Sequence, residues 1–571
     1  MKSFKWLSGI VVTFFAFQLF SVAFAYQGHH PSRATHGMVA TAAPLASEVG
    51  VQILRQGGNA VDAAVAIGFA LEVVYPSAGN IGGGGFMVIR FPDGKATTID
   101  YREKAPLKAT RDMYLDKNGN VIPGLSLKGY LSCGVPGSVK GLWLAHRKYG
   151  KLPWKRLIEP AIQLAEKGFP ISYELSQEIK RHENDLKEFP ATAKVFLKNG
   201  TIPYEQGERF IQKDLAHTLR LIAENGPDGF YKGEVAERIQ STMKANGGIM
   251  TKRDLAAYEA KERPPVEGTY HDYRIISMGP PSSGGICLIE ILNILENYPL
   301  KSYGFHSSKS AHLMVEAEKR AYADRAKHLG DSDFYPVPVK GLLSKKYAAT
   351  LRKSIDSTRA TPSAEIFAGN PLPYESKETT HYSVVDEHRM AVSVTTTLNS
   401  AFGSKVVVDG AGFLLNDEMD DFSSKPGFPN KYGLIGGEAN SIQPGKRMLS
   451  SMTPTVVEKN GKLFMVVGTP GGSTIITSVL QTILNVVDFG MNIQEAVDAP
   501  RFHHQWLPDH ISYDRFAFPE DVCLNLKKMG HHLHPRHSNG PGIVEAIVVD
   551  PKTGVLLGGS DSRGYGKAVG Y

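Results

Sequence analysis

The chain is poor in the features that would commit it to a special environment or chemistry. Cys133, Cys287 and Cys523 are its only cysteines, far apart and without a C-x-x-C spacing. An odd number cannot pair completely, so neither a disulfide scaffold nor a cysteine-bound zinc is supported, and buried inert thiols are expected. Dense Lys/Arg blocks with interleaved aromatics are missing, and 64 basic against 57 acidic residues leave a formal charge of only +7. That argues against a nucleic-acid partner and leaves room for an anionic small molecule. A Gly-x-Ser-x-Gly elbow and a His-Glu-x-x-His helix are both lacking, so serine-hydrolase and zinc-peptidase mechanisms have no anchor. Past the N-terminus no apolar run approaches the roughly 18 residues needed to cross a bilayer.

What is present is the composition of a globular protein, 42% apolar and 21% charged over 571 residues, enough for a large core. Lys2 and Lys5 precede an apolar stretch from Trp6 to about Phe20, then Val22-Ala23-Phe24-Ala25-Tyr26. This reads as a secretory leader, residues 1–25, removed after Ala25, and places the mature chain in the periplasm or outside the cell. Helical spacing is expected over 60–74, 138–149, 154–167, 216–225, 286–295 and 475–488, and strands over 86–89, 273–278, 463–467 and 543–549. Gly82-Gly83-Gly84-Gly85 lacks the Lys-Ser/Thr of a phosphate loop and reads as packing glycine. Two Val/Thr-rich period-2 runs, 380–385 and 391–398, joined by 386–390, predict a hairpin. Mixed elements without an internal repeat give an α/β fold with strands sandwiched by helices, of which a four-layer αββα sandwich is one member.

Chemistry is expected at one junction. The polar, proline-bearing stretch 354–378 is the most linker-like of the mature chain, and it gives way to Thr379-Thr380-His381-Tyr382-Ser383-Val384-Val385-Asp386. A cut between Glu378 and Thr379 would leave a hydroxyl and a free α-amine on one residue, a nucleophile carrying its own base. An α-amine titrates at about 8, close enough to neutrality to take the hydroxyl proton. The plain alternative is that Thr379 merely begins a strand.

Further blocks decide between the two. Tyr101-Arg102-Glu103-Lys104-Ala105-Pro106, Pro281-Ser282-Ser283-Gly284-Gly285, Thr395-Thr396-Thr397-Leu398-Asn399 and Leu415-Asn416-Asp417-Glu418-Met419-Asp420-Asp421-Phe422 occur in order. Ser450-Ser451-Met452-Thr453-Pro454-Thr455, Gly468-Thr469-Pro470-Gly471-Gly472-Ser473 and Ala499-Pro500-Arg501-Phe502-His503-His504-Gln505-Trp506 follow. With the Thr379 block they resemble the γ-glutamyltranspeptidases of Gram-negative bacteria over essentially the whole mature chain.

The resemblance implies an N-terminal-nucleophile hydrolase with the αββα sandwich, made as a precursor that cuts itself before Thr379. A large subunit, 26–378, and a small one, 379–571, would form one interwoven heterodimer, with residues 361–378 free to swing away. No cofactor or metal is implied. Thr379 would attack the γ-glutamyl amide of glutathione and related compounds, and water or an amino-acid or dipeptide amine would resolve the acyl-enzyme. Gly471 and Gly472 would donate to the oxyanion. Arg102, Ser450 and Ser451 would hold the donor's α-carboxylate, while Asn399, Glu418 and Asp421 hold its ammonium. Thr397, two positions before Asn399 on the same strand face, would steady the nucleophile, and Tyr432 would tip a lid over 426–434. Met448 and Ser562 depart from the family, each standing where relatives have proline. Rivals are a cephalosporin acylase of the same superfamily and a secreted binding protein that keeps only the fold. His531, His532, His534 and His537 are the densest histidine cluster, but no carboxylate or thiol accompanies them in the text and no metal is expected there.

Overall fold

The computed structural model describes residues 30–79, 81–372, 383–536 and 542–571. The expected leader, the Glu378–Thr379 junction and His537 lie outside the described residues. Two seven-stranded antiparallel sheets dominate. One runs in the spatial order Ser32–Ala34, Leu556–Ser560, Glu545–Val549, Lys462–Gly468, Thr455–Lys459, Tyr273–Ser277, Val266–Tyr270. The other runs Lys567–Gly570, Met38–Thr41, Val384–Val385, Ala391–Thr397, Gly84–Arg90, Ala96–Tyr101, Lys261–Arg263.

Alternation along the strands builds the layers. Val88, Val385, Ala391, Val456, Val466 and Ile547 meet between the two sheets in one apolar cluster. Their neighbours Met87 and Ile89 point the other way, onto the helices Pro44–Arg55, Ala60–Val74 and Trp154–Lys167. Met465, Val467, Ala546 and Val548 likewise face the helices Gly284–Leu295, Ser308–His328 and Ile475–Val487. The result is helix, sheet, sheet, helix, the four layers expected.

Helices Ala60–Val74, Ser138–Tyr149 and Trp154–Lys167 fall where the spacing predicts. Asn59 explains the sharp start of the first, accepting from the Asp62 amide in a capping box. The four-glycine run is packing: a Cβ on Gly82 would lie 1.9 Å from the Leu414 carbonyl oxygen, and one on Gly83 2.0 Å from that of Thr397.

The hairpin forms, with Val384–Val385 paired to 391–392 and Asp386 accepting from the amides of His388 and Met390. Its second strand then runs on along the whole of Gly84–Arg90, which makes it central. One expectation needs correction. Asn399 does not share a strand face with Thr397: the strand ends at Thr397, and Asn399 sits beyond it at φ +73° with its amide on the Thr397 hydroxyl, 2.7 Å away. In the full-length chain Thr361, Ser363, Ile366 and Gly369, part of the stretch expected to swing away once the chain is cut, are hydrogen-bonded to Lys319, Asp509, Trp506 and Asp324.

Candidate active site

A cavity of about 1110 Å³ opens at the carboxyl end of the strand Ala391–Thr397. Arg102, Thr397, Asn399, Glu418, Asp421, Tyr432, Ser450, Ser451, Gly471 and Gly472 all line it. Ten residues spread over 370 positions of sequence are thereby gathered at one place. Thr379 lies outside the described residues.

Arg102 follows the strand Ala96–Tyr101 and is fully buried. Its Nη1 lies 2.6 Å from Glu418 Oε2, its Nη2 2.5 Å from Asp421 Oδ2, and Glu103 Oε2 is 3.4 Å from Nη1. One cation therefore serves three carboxyls, which cannot all be ionised around it at once. Burial pushes Glu418 well above the usual carboxylate range despite Arg102, and raises Glu103 to about 7. Neither Glu418 oxygen has a hydrogen bond of good alignment. The residues expected at opposite ends of the substrate thus pair with one another.

Ser450 and Ser451 present hydroxyls of a different kind. Ser450 Oγ accepts from the Met452 amide at 3.1 Å and Ser451 Oγ from Arg325 Nη2 at 3.1 Å. With a lone pair used by an N–H in each case, both hydroxyl protons remain to be donated.

Gly471 has φ +143° and Gly472 φ +58°, conformations that turn the chain from the strand Lys462–Gly468 into the helix Ile475–Val487. Neither backbone N–H donates to another described residue. A Cβ on Gly472 would lie 2.5 Å from the Tyr432 ring, so this glycine lets the aromatic close down. Tyr432 donates its hydroxyl to the Asn399 carbonyl at 2.7 Å, and Gln505 donates to the Tyr432 carbonyl at 3.0 Å. Asn430 folds the turn beneath it, its side-chain oxygen accepting from the amides of Tyr432 and Leu434. The segment expected as a lid is a braced turn whose Tyr432 and Leu434 line the pocket.

Sequence reasoning missed Arg325, Asn430 and Asp417. Asp417 is buried, accepts from the amide and hydroxyl of Ser400, and is raised to about 6 by burial. Asn430 and Asp417 were within quoted or flanking blocks; Arg325 lies on a helix whose buried face is full of charge, where periodicity gives no signal.

His312, Glu316 and His531 form the one cluster with metal-ligand spacing among the described residues, their donor atoms within 4.8 Å of one another. Those donors are occupied: the two imidazoles bond each other at 2.7 Å, and Glu316 is paired with Lys319 and Arg320. Two adjacent cations make this a poor cation site.

The sequence profile of the Gamma-glutamyltranspeptidase family matches residues 46–571. This chain belongs to that family. Over 580 residues it is 50% identical to the glutathione hydrolase proenzyme of Pseudomonas sp. (strain A14), covering 100% of both chains. Against the glutathione hydrolase proenzyme of Escherichia coli (strain K12) identity is 51%, over 94% of this chain and 91% of the relative. Among solved structures, a cephalosporin acylase from Bacillus halodurans superposes with TM-score 0.83 at 29% identity, covering 96% of this chain and 98% of that one. The γ-glutamyltranspeptidase membership and the shared αββα layers agree with the fold expected from the N-terminal-nucleophile hydrolases.

Proposed function

We propose that the chain is a self-processing γ-glutamyltransferase and glutathione hydrolase whose nucleophile is Thr379, freed by cleavage after Glu378. The precursor divides into a leader, 1–25, a large subunit, 26–378, and a small subunit, 379–571; the last two stay together because each sheet contains hydrogen-bonded strands from both. After leader removal the enzyme works in the periplasm. In keeping with this, no helix of the described residues is long and apolar enough to cross a membrane.

One observation carries the reading. A single cavity holds an arginine, two hydroxyl donors and two carboxyls, together complementary to a group bearing both a carboxylate and an ammonium. A γ-glutamyl donor is such a group. Its carboxylate takes Arg102, Ser450 and Ser451, and its ammonium takes Asn399, Glu418 and Asp421, so that the charges exchange partners within the site at little net electrostatic cost. The Thr379 hydroxyl then adds to the γ-carbonyl while its α-amine accepts the proton. The amides of Gly471 and Gly472, which donate to no other described residue, support the oxyanion, and Thr397 steadies the nucleophile. Collapse expels the amine of the leaving group, which takes a proton back from the α-ammonium. Water, or an amino acid or dipeptide, enters under Tyr432 and releases glutamate or a new γ-glutamyl product.

Denaturing electrophoresis with N-terminal sequencing tests the proposal: two bands are expected, the smaller starting at Thr379. Thr379→Ala should remain one uncut chain without turnover of γ-glutamyl-p-nitroanilide. An uncut active wild type, or an active alanine variant, overturns it.

A further inference from the structure

The block Pro281-Ser282-Ser283-Gly284-Gly285 has no part in the chemistry so far, and neither has Arg325. They meet behind the serine pair. Ser283 donates from both its amide, 2.8 Å, and its hydroxyl, 2.6 Å, to the Ser450 carbonyl. Ser282 donates its hydroxyl to the Met452 carbonyl at 2.6 Å, and its backbone bridges that of Ser450. The segment 282–283 is thus a splint laid along 450–452. A Cβ on Gly284 would lie 2.4 Å from the Met452 carbonyl oxygen, which explains a glycine directly after the splint.

Arg325 closes this arrangement. It lies near the end of the helix Ser308–His328, 5% exposed, with Nε donating to Ser283 Oγ at 2.9 Å and Nη2 to Ser451 Oγ at 3.1 Å. Both partners are neutral. Among the described residues Arg325 has no ion pair, whereas Arg102 has three carboxyls around it. A buried guanidinium without a carboxylate is costly, and a ligand anion arriving nearby offsets that cost. The two arginines therefore divide the pocket: three carboxyls crowd Arg102 on the side of Glu418 and Asp421, while behind Ser450 and Ser451 stands a guanidinium bonded to hydroxyls alone and only within the electrostatic reach of Asp421.

We propose that Arg325 is a positioning residue for the donor's α-carboxylate. It holds the Ser451 oxygen by one lone pair so that the hydroxyl proton points to the ligand, and its charge strengthens that donation through the intervening oxygen. Its planar fork spans Ser283 and Ser451 together, a geometry lysine cannot reproduce. This inference rests on the γ-glutamyl reading of the site and names a residue that selects the carboxylate-bearing end of the donor.

The test compares two competitive inhibitors of γ-glutamyl-p-nitroanilide hydrolysis that differ only in the α-carboxylate, L-glutamate and 4-aminobutyrate. In Arg325→Met the inhibition constant of L-glutamate should rise about tenfold or more, the scale of one lost hydrogen bond to a charged group. That of 4-aminobutyrate should stay within about twofold by the same measure, because it makes no such bond. Ser451→Ala should give the same selective loss, and the double variant no more than the larger single one. Should Arg325→Met fail to mature into two chains, Ser283→Ala, which removes the Nε acceptor and the hydroxyl's bond to the Ser450 carbonyl but leaves Nη2 on Ser451, carries the comparison with a smaller shift in the same direction. Equal weakening of both inhibitors, no weakening of either, or additive losses overturns the role of Arg325. An inactive wild type would instead sink the functional reading itself.

Discussion

Arg102 Nη2 lies 2.5 Å from Asp421 Oδ2, an ion pair between residues 319 positions apart in the chain. With Glu418 and Glu103 it forms a buried cluster whose single cation is shared. Removing one member of such a cluster costs more than the pair contributes, since the others stay buried and uncompensated. Arg102→Met is expected to lower unfolding free energy by about 3–5 kcal/mol in urea titrations at neutral pH. The loss should shrink at acid pH, where the carboxyls are protonated. γ-Glutamyl turnover should be abolished even where the protein remains folded.

Glu103 is held at about 7 by burial, above its unfolded value. Between roughly pH 4.5 and 7 the folded protein therefore binds a proton that the unfolded chain has released. Stability from this group is full at acid pH and is lost as pH rises through that window, at up to about 1.4 kcal/mol per pH unit. Glu103→Gln should flatten the fall in urea midpoint across pH 5–7. Asp417, Glu290 and Glu418 are raised by burial as well, so part of the slope should survive.

Gly472 gives way to Tyr432, as the 2.5 Å approach of an added Cβ to the ring shows. Gly472→Ala should therefore displace the lid, besides the roughly 1–2 kcal/mol of strain from a positive φ. A fall of about tenfold or more in kcat/KM is expected from misplacement near the reacting atoms. Pairing it with Tyr432→Ala should restore part of the lost stability, because the clash then has no second party. Additive losses in thermal melts would show that the ring and Cβ do not compete.

All three cysteines are free, and Cys133 and Cys287 are buried. Burial raises Cys133 to about 12 and Cys287 well above the usual thiol range, so both should be unreactive while folded. A thiol reagent should label at most Cys523 in the native protein and all three after denaturation. Reductant should leave the melting temperature unchanged.

Much of the fold was legible because it rests on local periodicity. The helix Ala60–Val74 is apolar at helical spacing and begins at an asparagine cap, and the strand Lys462–Gly468 alternates between two buried faces. Both signals are carried by neighbouring residues. The order of strands in the sheets was not legible, since it depends on pairing over long separations such as Ser32–Ala34 with 556–558. The partners of 361–371 were illegible for a related reason: its polar text gives no packing signal, and the groups it bonds come from the helix Ser308–His328 and the loop 504–509.

The candidate site divides along the same line. The ordered blocks were specific enough to name the family and to point to the arginine, hydroxyl, carboxyl and glycine residues that line the cavity. Only the three-dimensional arrangement shows that Arg102 is held by three carboxyls, that Tyr432 rests on Gly472, and that Arg325 reaches Ser451 with no ion pair among the described residues. A side chain's charge is written in its sequence, but the net charge and hydrogen-bond direction at a point in space depend on what the fold brings within a few ångströms of it.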